Sequence, residues 1–321
     1  MQIKNFIGID ISKNTLDVSV INIKGETVYY QRIANNSKSI KLGLMELMKH
    51  HKTNYEENLF CMEYTGVYNM LLLGFLQSMG AKIWLESGSQ IKKSMGIVRG
   101  KTDKVDSIRI AMYAFTNRHR IKLWQAPREI INKIAVLLTQ RNRFIKAKKQ
   151  LTIPVEEQKL FFEKEVLKSL AKHNEKPVLA LIQSINTIEK QIMELIKSDE
   201  RLYRLYKVVT SVDGLGMITA VNMLITTNEF LSITDAKKYA CYSGVAPFEH
   251  SSGTSIRGKT RVSHMANKSV KTLLHMAALA AIQAKGDIQN YYNRKVQEGK
   301  NKMSVLNAVR NKLIHRVFAC V

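Results

Sequence analysis

The alternation of apolar and polar positions indicates a sheet in the first third of the chain. Leu16, Val18 and Val20 alternate with polar residues, as in a half-buried strand. Similar β segments are predicted at 6–10, 16–23, 27–33, 58–64 and 81–86. Helices are predicted over 37–50, 69–79 and 103–117. Three hairpin-connected strands followed by alternating helix and strand indicate a mixed α/β sheet.

The middle of the chain has a helical pattern. It contains no glycine from Arg128 to Ile196, and Pro154 and Pro177 are predicted to cut it into three helical pieces. The last piece has apolar residues at heptad-like spacing: Leu181, Ile185, Ile188, Ile192 and Leu195. This spacing predicts a helical, coiled-coil-like arm, and an ordinary helical bundle with the same apolar stripe is an equal alternative.

The last third, from about Val208, is predicted to be mainly helical, with loops at 212–217 and from Ser243 to Lys268. The chain is therefore predicted to combine an α/β domain with α-helical parts. The expected domains are 1–125, an arm over 126–205 and a C-terminal domain over 206–321.

The charge indicates a polyanionic partner. The 321 residues include 50 Lys and Arg against 26 Asp and Glu, a net charge of +24. Residues 251–321 hold 13 of these cations and two acids, and residues 118–150 hold ten cations and one acid. Nucleic acid is the commonest partner for such a surface, and a membrane surface is the lesser alternative. A solvated helix face is the usual alternative explanation for a single basic run.

The sequence also bears on the cellular location of the protein and on whether its cysteines form disulfides or bind zinc. No stretch approaches the roughly 18 uninterrupted apolar residues of a membrane helix, so a soluble, cytoplasmic protein is expected. The three cysteines, Cys61, Cys241 and Cys320, are far apart and support neither a disulfide framework nor a zinc ribbon.

Four acids occupy positions where a purely structural sequence would favour other residues. Asp10 and Glu63 end predicted strands, while Asp103 and Asp106 begin a helix on one face, after Thr102 as a candidate N-cap. Magnesium takes oxygen ligands, and a pair of ions about 3.5 to 4 Å apart stabilises both oxygens of a phosphodiester displacement. The alternative is that each acid is a turn, cap or first-turn residue. The ordered set resembles that of RNase H-like nucleases.

A second candidate site is the polar, glycine-punctuated segment with Ser251, Ser252 and Gly253. Four cations follow it closely: Arg257, Lys259, Arg261 and Lys268. A serine needs activation to act as a nucleophile, and nearby cations would stabilise charge on a phosphate. The alternative is a flexible turn whose cations bind backbone phosphates without chemistry.

The segment VDGLGM predicts a turn between two helices. Gly214 and Gly216 permit positive φ and would let backbone N–H groups approach a phosphate at a helix N-terminus. An ordinary helix–helix turn is the equal alternative.

These motifs together resemble the Piv/MooV-type DEDD transposases and invertases, the insertion-sequence recombinases associated with a bridge RNA. GIDISK, MEYTGVY and KTDKVDS carry the four acids in the family's order. GLGMITA and GVAPFEHSSGTSIRGKTRVSHMANK resemble the family's C-terminal transposase domain. The sequence stops at HRVFACV, where relatives run on for a short tail, so a truncated C-terminus is an open alternative.

The resemblance implies a fold and a set of roles. It implies a RuvC-like N-terminal domain with Asp10, Glu63, Asp103 and Asp106 as magnesium ligands. It also implies a serine nucleophile, mapped to Ser252 with Ser251 as its neighbour. The implied partners are double-stranded donor and target DNA, a guide RNA encoded by the element, and further copies of the chain in a dimer or tetramer. Association with the nucleoid during activity is expected.

Three functions follow as hypotheses. The leading one is a magnesium-dependent recombinase that moves a mobile element through a serine nucleophile. The second is a RuvC-like structure-specific endonuclease that uses water and the acids alone, with the serine segment as a phosphate clamp. The third is an architectural nucleic-acid binder, which the charge alone supports.

Overall fold

A computed structural model describes residues 3–94, 100, 102–252, 256–263 and 265–321. The chain forms two compact units, Met1–Ala126 and Pro127–Val321. The predicted division into domains over 1–125, 126–205 and 206–321 stays a prediction. In the described residues, no helix combines the length and apolar character needed to span a lipid bilayer.

The first unit is built on a mixed sheet, as predicted. Among the described residues its strands are β1 (Asn5–Ile11), β2 (Thr15–Asn22), β3 (Thr27–Ala34), β4 (Asn58–Glu63) and β5 (Lys82–Glu86). Their order is β3-β2-β1-β4-β5. The first three strands are antiparallel, whereas β4 lies parallel to both β1 and β5. The prediction of three hairpin-connected strands followed by alternating helix and strand in a mixed α/β sheet is confirmed.

Helices cover both faces of this sheet. They are α1 (Ser37–His50), α2 (Met70–Ser78), α3 (Gly88–Lys93) and α4 (Asp103–Thr116). On one face, Ile7 and Ile9 of β1 pack in a core with α1 and α2. On the other face, Phe6 packs in a core with α4. The alternation along β1 therefore sends apolar side chains into two cores, because consecutive strand residues face opposite sides.

Gly8 lets helix α4 lie directly on strand β1. A Cβ atom at this position would collide with the backbone nitrogen of Ala111 and the carbonyl oxygen of Ser107, and would lie 2.7 Å from Ala111 Cα. A hydrogen bond of 2.7 Å between the buried hydroxyls of Ser19 and Ser107 ties α4 to β2 as well. These contacts fix the start of α4 beside the sheet.

The second unit begins with two long helices, α5 (Glu129–Glu157) and α6 (Lys164–Lys197). They are antiparallel, since Arg141 pairs with Glu189 at 2.6 Å and Asn174 donates to the Leu151 carbonyl at 2.8 Å. Ile188 and Ile192 of the predicted stripe are buried in the core of this unit. The description as a coiled-coil-like arm stays a prediction.

The predicted division into three helical pieces is wrong. Helix α5 continues through Pro154 and α6 continues through Pro177, and the chain turns instead at 158–163, where there is no proline. A proline inside a helix removes one backbone hydrogen bond and costs about 3 kcal/mol. Two long helices that pack along each other retain enough other contacts to continue past it.

The remaining helices share a core with the first part of α5 and the last part of α6. They are α7 (Glu200–Thr210), α8 (Met217–Thr226), α9 (Ala236–Tyr242), α10 (Lys268–Ala281), α11 (Asp287–Gln297) and α12 (Lys302–Cys320). The mainly helical character predicted from Val208 onward is therefore observed. The division at 205 into arm and C-terminal domain stays a prediction, since both parts belong to one compact unit.

The predicted loop over 243–268 is partly wrong, because it contains a β-hairpin. Its strands are β6 (Pro247–Ser252) and β7 (Ile256–Val262), paired antiparallel. Ile256, Thr260 and Val262 have side chains that favour extended backbone. The glycines, serines and cations between them conceal this preference in the sequence.

Candidate active site

Strand pairing brings two of the predicted acids to one edge of the sheet. Asp10 is the next-to-last residue of β1, and Glu63 is the last residue of β4. The two strands are parallel neighbours with Ile9 paired to Met62, so that their carboxyl ends meet. Asp10 and Glu63 therefore extend from adjacent strands at the same edge.

Helix α4 adds the other two acids. The Thr102 hydroxyl accepts a hydrogen bond of 3.2 Å from the Val105 amide, which confirms the predicted N-cap. Asp103 and Asp106 lie in the first helical turn, where the helix dipole favours negative charge. The close contact of α4 with Gly8 holds this turn against β1.

The ionisation of Asp10 is affected by its burial and by the other predicted acids. Its pKa is raised from 3.8 to about 6, first by burial and then by the negative charges of Asp106, Asp103, Glu63 and Asp17. Like charges that lie close together disfavour ionisation. Asp106, Asp103 and Glu63 therefore lie near enough to Asp10 for their charges to act on it, and their role as one metal site stays a prediction.

Asp17 is a fifth acid that sequence reasoning missed. It is the Cα partner of Asp10 on β2 and is only 2% exposed. Arg32 Nε donates to both of its carboxylate oxygens at 3.1 Å, and the Tyr30 hydroxyl donates to Oδ1 at 2.6 Å. Strand β2 alternates apolar and polar residues, so a polar residue at position 17 did not stand out. The signal in the sequence was that the β1–β2 hairpin places Asp17 opposite Asp10.

Two arginines hold the acids of α4. Arg32 Nη2 lies 2.8 Å from Asp103 Oδ2, and Arg109 Nη1 lies 2.7 Å from Asp106 Oδ1. Within the part of the chain that the structure describes, no three His, Cys, Asp or Glu side chains stand at the spacing of a metal centre. The donor set nevertheless fits a hard divalent cation, since it consists of carboxylate oxygens whose mutual repulsion raises the pKa of Asp10.

The raised pKa gives a testable effect on stability. A carboxyl whose pKa is higher in the folded than in the unfolded protein contributes stability below pH 3.8 and loses it as the pH rises through about 6. In metal-free buffer, we expect Asp10→Asn to raise the melting temperature by a few °C at pH 7.5. The gain should be clearly smaller at pH 4.5, inside the window between the two pKa values, and should disappear only below pH 3.8.

Thermal unfolding at the two pH values measures this difference. Glu46→Gln is the matched control, because Glu46 is an exposed carboxylate on α1 of the same unit. The control should show no pH-dependent gain. An Asp10→Asn gain of equal size at both pH values would contradict the charge repulsion at Asp10.

The serines lie at the end of a hairpin strand. Ser251 and Ser252 are the last residues of β6, and their Cα partners on β7 are Arg257 and Ile256. The side chains of Ser251, Ser252, Arg257 and Lys259 lie outside the described part of the structure. Among the other predicted phosphate-binding cations, Arg261 is exposed on β7 opposite Phe248, and Lys268 is the exposed first residue of α10.

The two turn glycines differ in their surroundings. Gly214 has a φ of +85°, and a Cβ there would collide with the carbonyl oxygen of Ala277 in α10. Its glycine is thus required for helix packing. Gly216 has a φ of −83° at the N-cap of α8, so the expected positive φ holds only for Gly214. In the described structure, no atom would lie within 4 Å of a Cβ at Gly216. Phosphate binding by these glycines stays a prediction.

Comparisons with known families match both halves of the chain. The transposase model of the IS110-type DEDD family matches residues 7–158. A second model, described as the transposase of the IS116/IS110/IS902 family, matches residues 206–293. The first match contains all four acids, and the second contains the β6–β7 hairpin. The resemblance inferred from the sequence motifs is thereby confirmed.

Known proteins agree with these matches. The pilin gene-inverting proteins of Moraxella bovis and Moraxella lacunata are each 28% identical over 99% of this chain and 96% of their own length. An insertion element IS110 protein of 43.6 kDa from Streptomyces coelicolor is 31% identical over 44% of this chain and 33% of its own. A solved structure of T. thermophilus RuvC with a Holliday junction has 12% identity and a TM-score of 0.30, over 38% of this chain and 99% of RuvC. The chain belongs to the IS110 family of DEDD transposases, which are DNA recombinases.

Proposed function

We propose that this protein is a magnesium-dependent transposase that excises and inserts a mobile DNA element through a serine nucleophile, guided by an RNA from the element. The observation that carries the proposal is the group of Asp10, Glu63, Asp103 and Asp106: burial, and after it the charges of the other three acids and of Asp17, raise the pKa of Asp10 to about 6. Perturbed acids of this kind are typical of catalytic sites.

The first unit supplies the acidic half of the chemistry. Its sheet order, with three antiparallel strands followed by two parallel ones, supports an RNase H-like, RuvC-like fold for this unit. Asp10, Glu63, Asp103 and Asp106 would hold magnesium. When bound, the ion stabilises negative charge on the oxygens of a phosphodiester displacement. Arg32 and Arg109 keep Asp103 and Asp106 beside the strand ends.

The second unit supplies the nucleophile. The Ser252 hydroxyl oxygen would attack a DNA phosphorus, forming a serine–phosphate bond while the bond to the leaving 3′ or 5′ oxygen breaks. The serine proton passes to solvent or a nearby base, and the leaving oxygen gains a proton. Arg257, Lys259, Arg261 and Lys268 would neutralise the phosphate. Because the new bond is also a phosphodiester, the reverse displacement rejoins the strands without an external cofactor.

The partners follow from charge and family. A net charge of +24 suits double-stranded DNA and an RNA guide bound at the same time. The acids and the serines belong to different compact units. We propose that copies of the chain assemble as a dimer or tetramer and that active sites combine the two units from different copies.

Sequencing of co-purified RNA tests the guided reaction. The protein is expressed together with the DNA that flanks its gene, purified at low salt, and the bound RNA is sequenced. One discrete RNA from the flank is the expected result, and it supplies the sequences for donor and target DNA. Only heterogeneous RNA, in preparations where the flank is transcribed, would contradict guidance by an element-encoded RNA.

A further inference from the structure

A cleft of about 770 Å³ lies in the second unit beside the hairpin that carries the serines. The start of β6, the end of β7, helix α10 and helix α12 form its walls. We call it the hairpin cleft. Its cationic and hydrogen-bonding side chains belong to Thr260, Arg261, Lys271, Ser304, Asn307, Arg310 and Asn311. No Asp or Glu of the described chain lines it.

Arg310 is a buried cation that pairs with no carboxylate of the described residues. Its side chain lines the cleft, yet the residue is only 6% exposed. Arg310 Nη2 donates to His275 Nδ1 at 2.6 Å, and Nη1 donates to Asn307 Oδ1 at 3.4 Å. Among the described residues, Nε has no hydrogen-bond partner and no carboxylate lies within ion-pair distance of the guanidinium. A buried charge left in this state is strongly destabilising.

The neighbours of Arg310 do not compensate its charge. Burial lowers the pKa of the guanidinium, and burial together with Arg310 lowers the pKa of His275. His275 is therefore neutral at neutral pH and serves as an acceptor. Arg261 and Lys271 add positive charge to the same cleft. The site is thus arranged for an anion that the described residues around it do not provide.

We propose that the hairpin cleft binds a phosphodiester group of the substrate DNA a few nucleotides from the serine. This inference rests on the proposed function in taking DNA as the substrate. A guanidinium with a free Nε matches the geometry of phosphate oxygens. Ser304 and Asn307 offer neutral hydrogen bonds beside it.

The distance to the serine follows from the hairpin register. Arg261 pairs with Phe248, which lies four residues before Ser252 on β6. Four residues of extended strand span roughly 13 Å. Since one nucleotide rises about 3.4 Å along a duplex strand, this corresponds to about four nucleotides. The cleft would therefore hold the backbone that flanks the cleaved phosphate and set its register at Ser252.

Inorganic phosphate tests the cleft without DNA. We expect phosphate to raise the melting temperature of the full chain in proportion to its occupancy of the cleft. Arg310→Met should remain folded without phosphate, because it removes an uncompensated buried charge, and it should lose the phosphate-dependent rise. Arg204→Met is the matched control, since Arg204 is exposed on α7 and its loss should leave the rise intact.

A second variant keeps the test decisive if Arg310→Met does not fold. Lys271→Met changes a half-exposed residue of the cleft and should reduce the phosphate-dependent rise. An equal rise in wild type and in the Arg310 or Lys271 variant would overturn the proposal, and so would the absence of any rise in wild type.

Duplex DNA with one methylphosphonate, moved along the strand, tests the position. One neutral linkage, expected about four nucleotides from the cut, should weaken binding of wild type but not of Arg310→Met. For the Arg310 variant, the slope of log binding constant against log salt concentration should also be smaller by about 0.9.

Loss of bound RNA with unchanged DNA binding would assign the cleft to RNA and overturn the proposal. If the wild type cleaves no DNA, the proposed function fails, while the phosphate-dependent rise still reports on the cleft.

Discussion

Ser252→Ala is expected to abolish the covalent protein–DNA adduct completely. In the proposed mechanism the Ser252 hydroxyl oxygen forms the bond to phosphorus, and alanine offers no replacement nucleophile. Folding and RNA binding should be unchanged, since Ser252 ends strand β6 at the tip of a hairpin. Denaturing electrophoresis of the protein after incubation with labelled donor DNA, magnesium and guide RNA measures the adduct.

Ser251→Ala is the control for this experiment, because Ser251 is the adjacent residue of the same strand. It should retain the adduct. An adduct that persists in Ser252→Ala and disappears in Ser251→Ala would identify Ser251 as the nucleophile. Hydrolysed DNA with no adduct in any variant, the wild type included, would favour the structure-specific endonuclease instead.

Glu63→Gln is expected to reduce strand cleavage by about 10² to 10⁴. An amide at this position keeps the shape of the side chain but removes the charge that a metal ligand needs, and a bound cation contributes several kcal/mol to such a displacement. Cleavage rates at saturating DNA, measured over a range of magnesium concentrations, give the size of the loss.

The adjacent strand provides a matched control. Glu86 pairs with Glu63 in register, ends β5 as Glu63 ends β4, and is also half-buried. Its carboxylate accepts from the Tyr113 hydroxyl at 3.1 Å, and it is not among the charges that raise the pKa of Asp10. Glu86→Gln should therefore retain cleavage within a few-fold. Equal losses in both variants would indicate a general effect of charge at this edge.

The sheet and its acids could be predicted because local pattern determines them. Alternation defined the strands, and the acids at the ends of β1 and β4 interrupted apolar runs that had no structural need for them. Parallel pairing then leaves adjacent strands ending at one edge. The N-cap Thr102 similarly placed Asp103 and Asp106 in one helical turn.

Other features depend on contacts between distant residues. Asp17 became part of the site through its partner across the hairpin and through Arg32. Pro154 and Pro177 carry strong local signals for helix ends, yet the packing of α5 against α6 outweighs them. The burial of Arg310 arises from a meeting of α10, α12 and a hairpin that no single segment encodes.

Because the residues of β1 alternate between two cores, this strand is sensitive to a change of one residue in its length. Ile7 and Ile9 face one core, while Gly8 and Asp10 belong to the side covered by α4. Insertion or loss of one residue before Asp10 would exchange the two sets, placing the acid among the isoleucines and a bulky side chain against α4. Changes in length are therefore expected to be tolerated only in the turns that flank this strand. A single-codon insertion within β1 is expected to inactivate the protein.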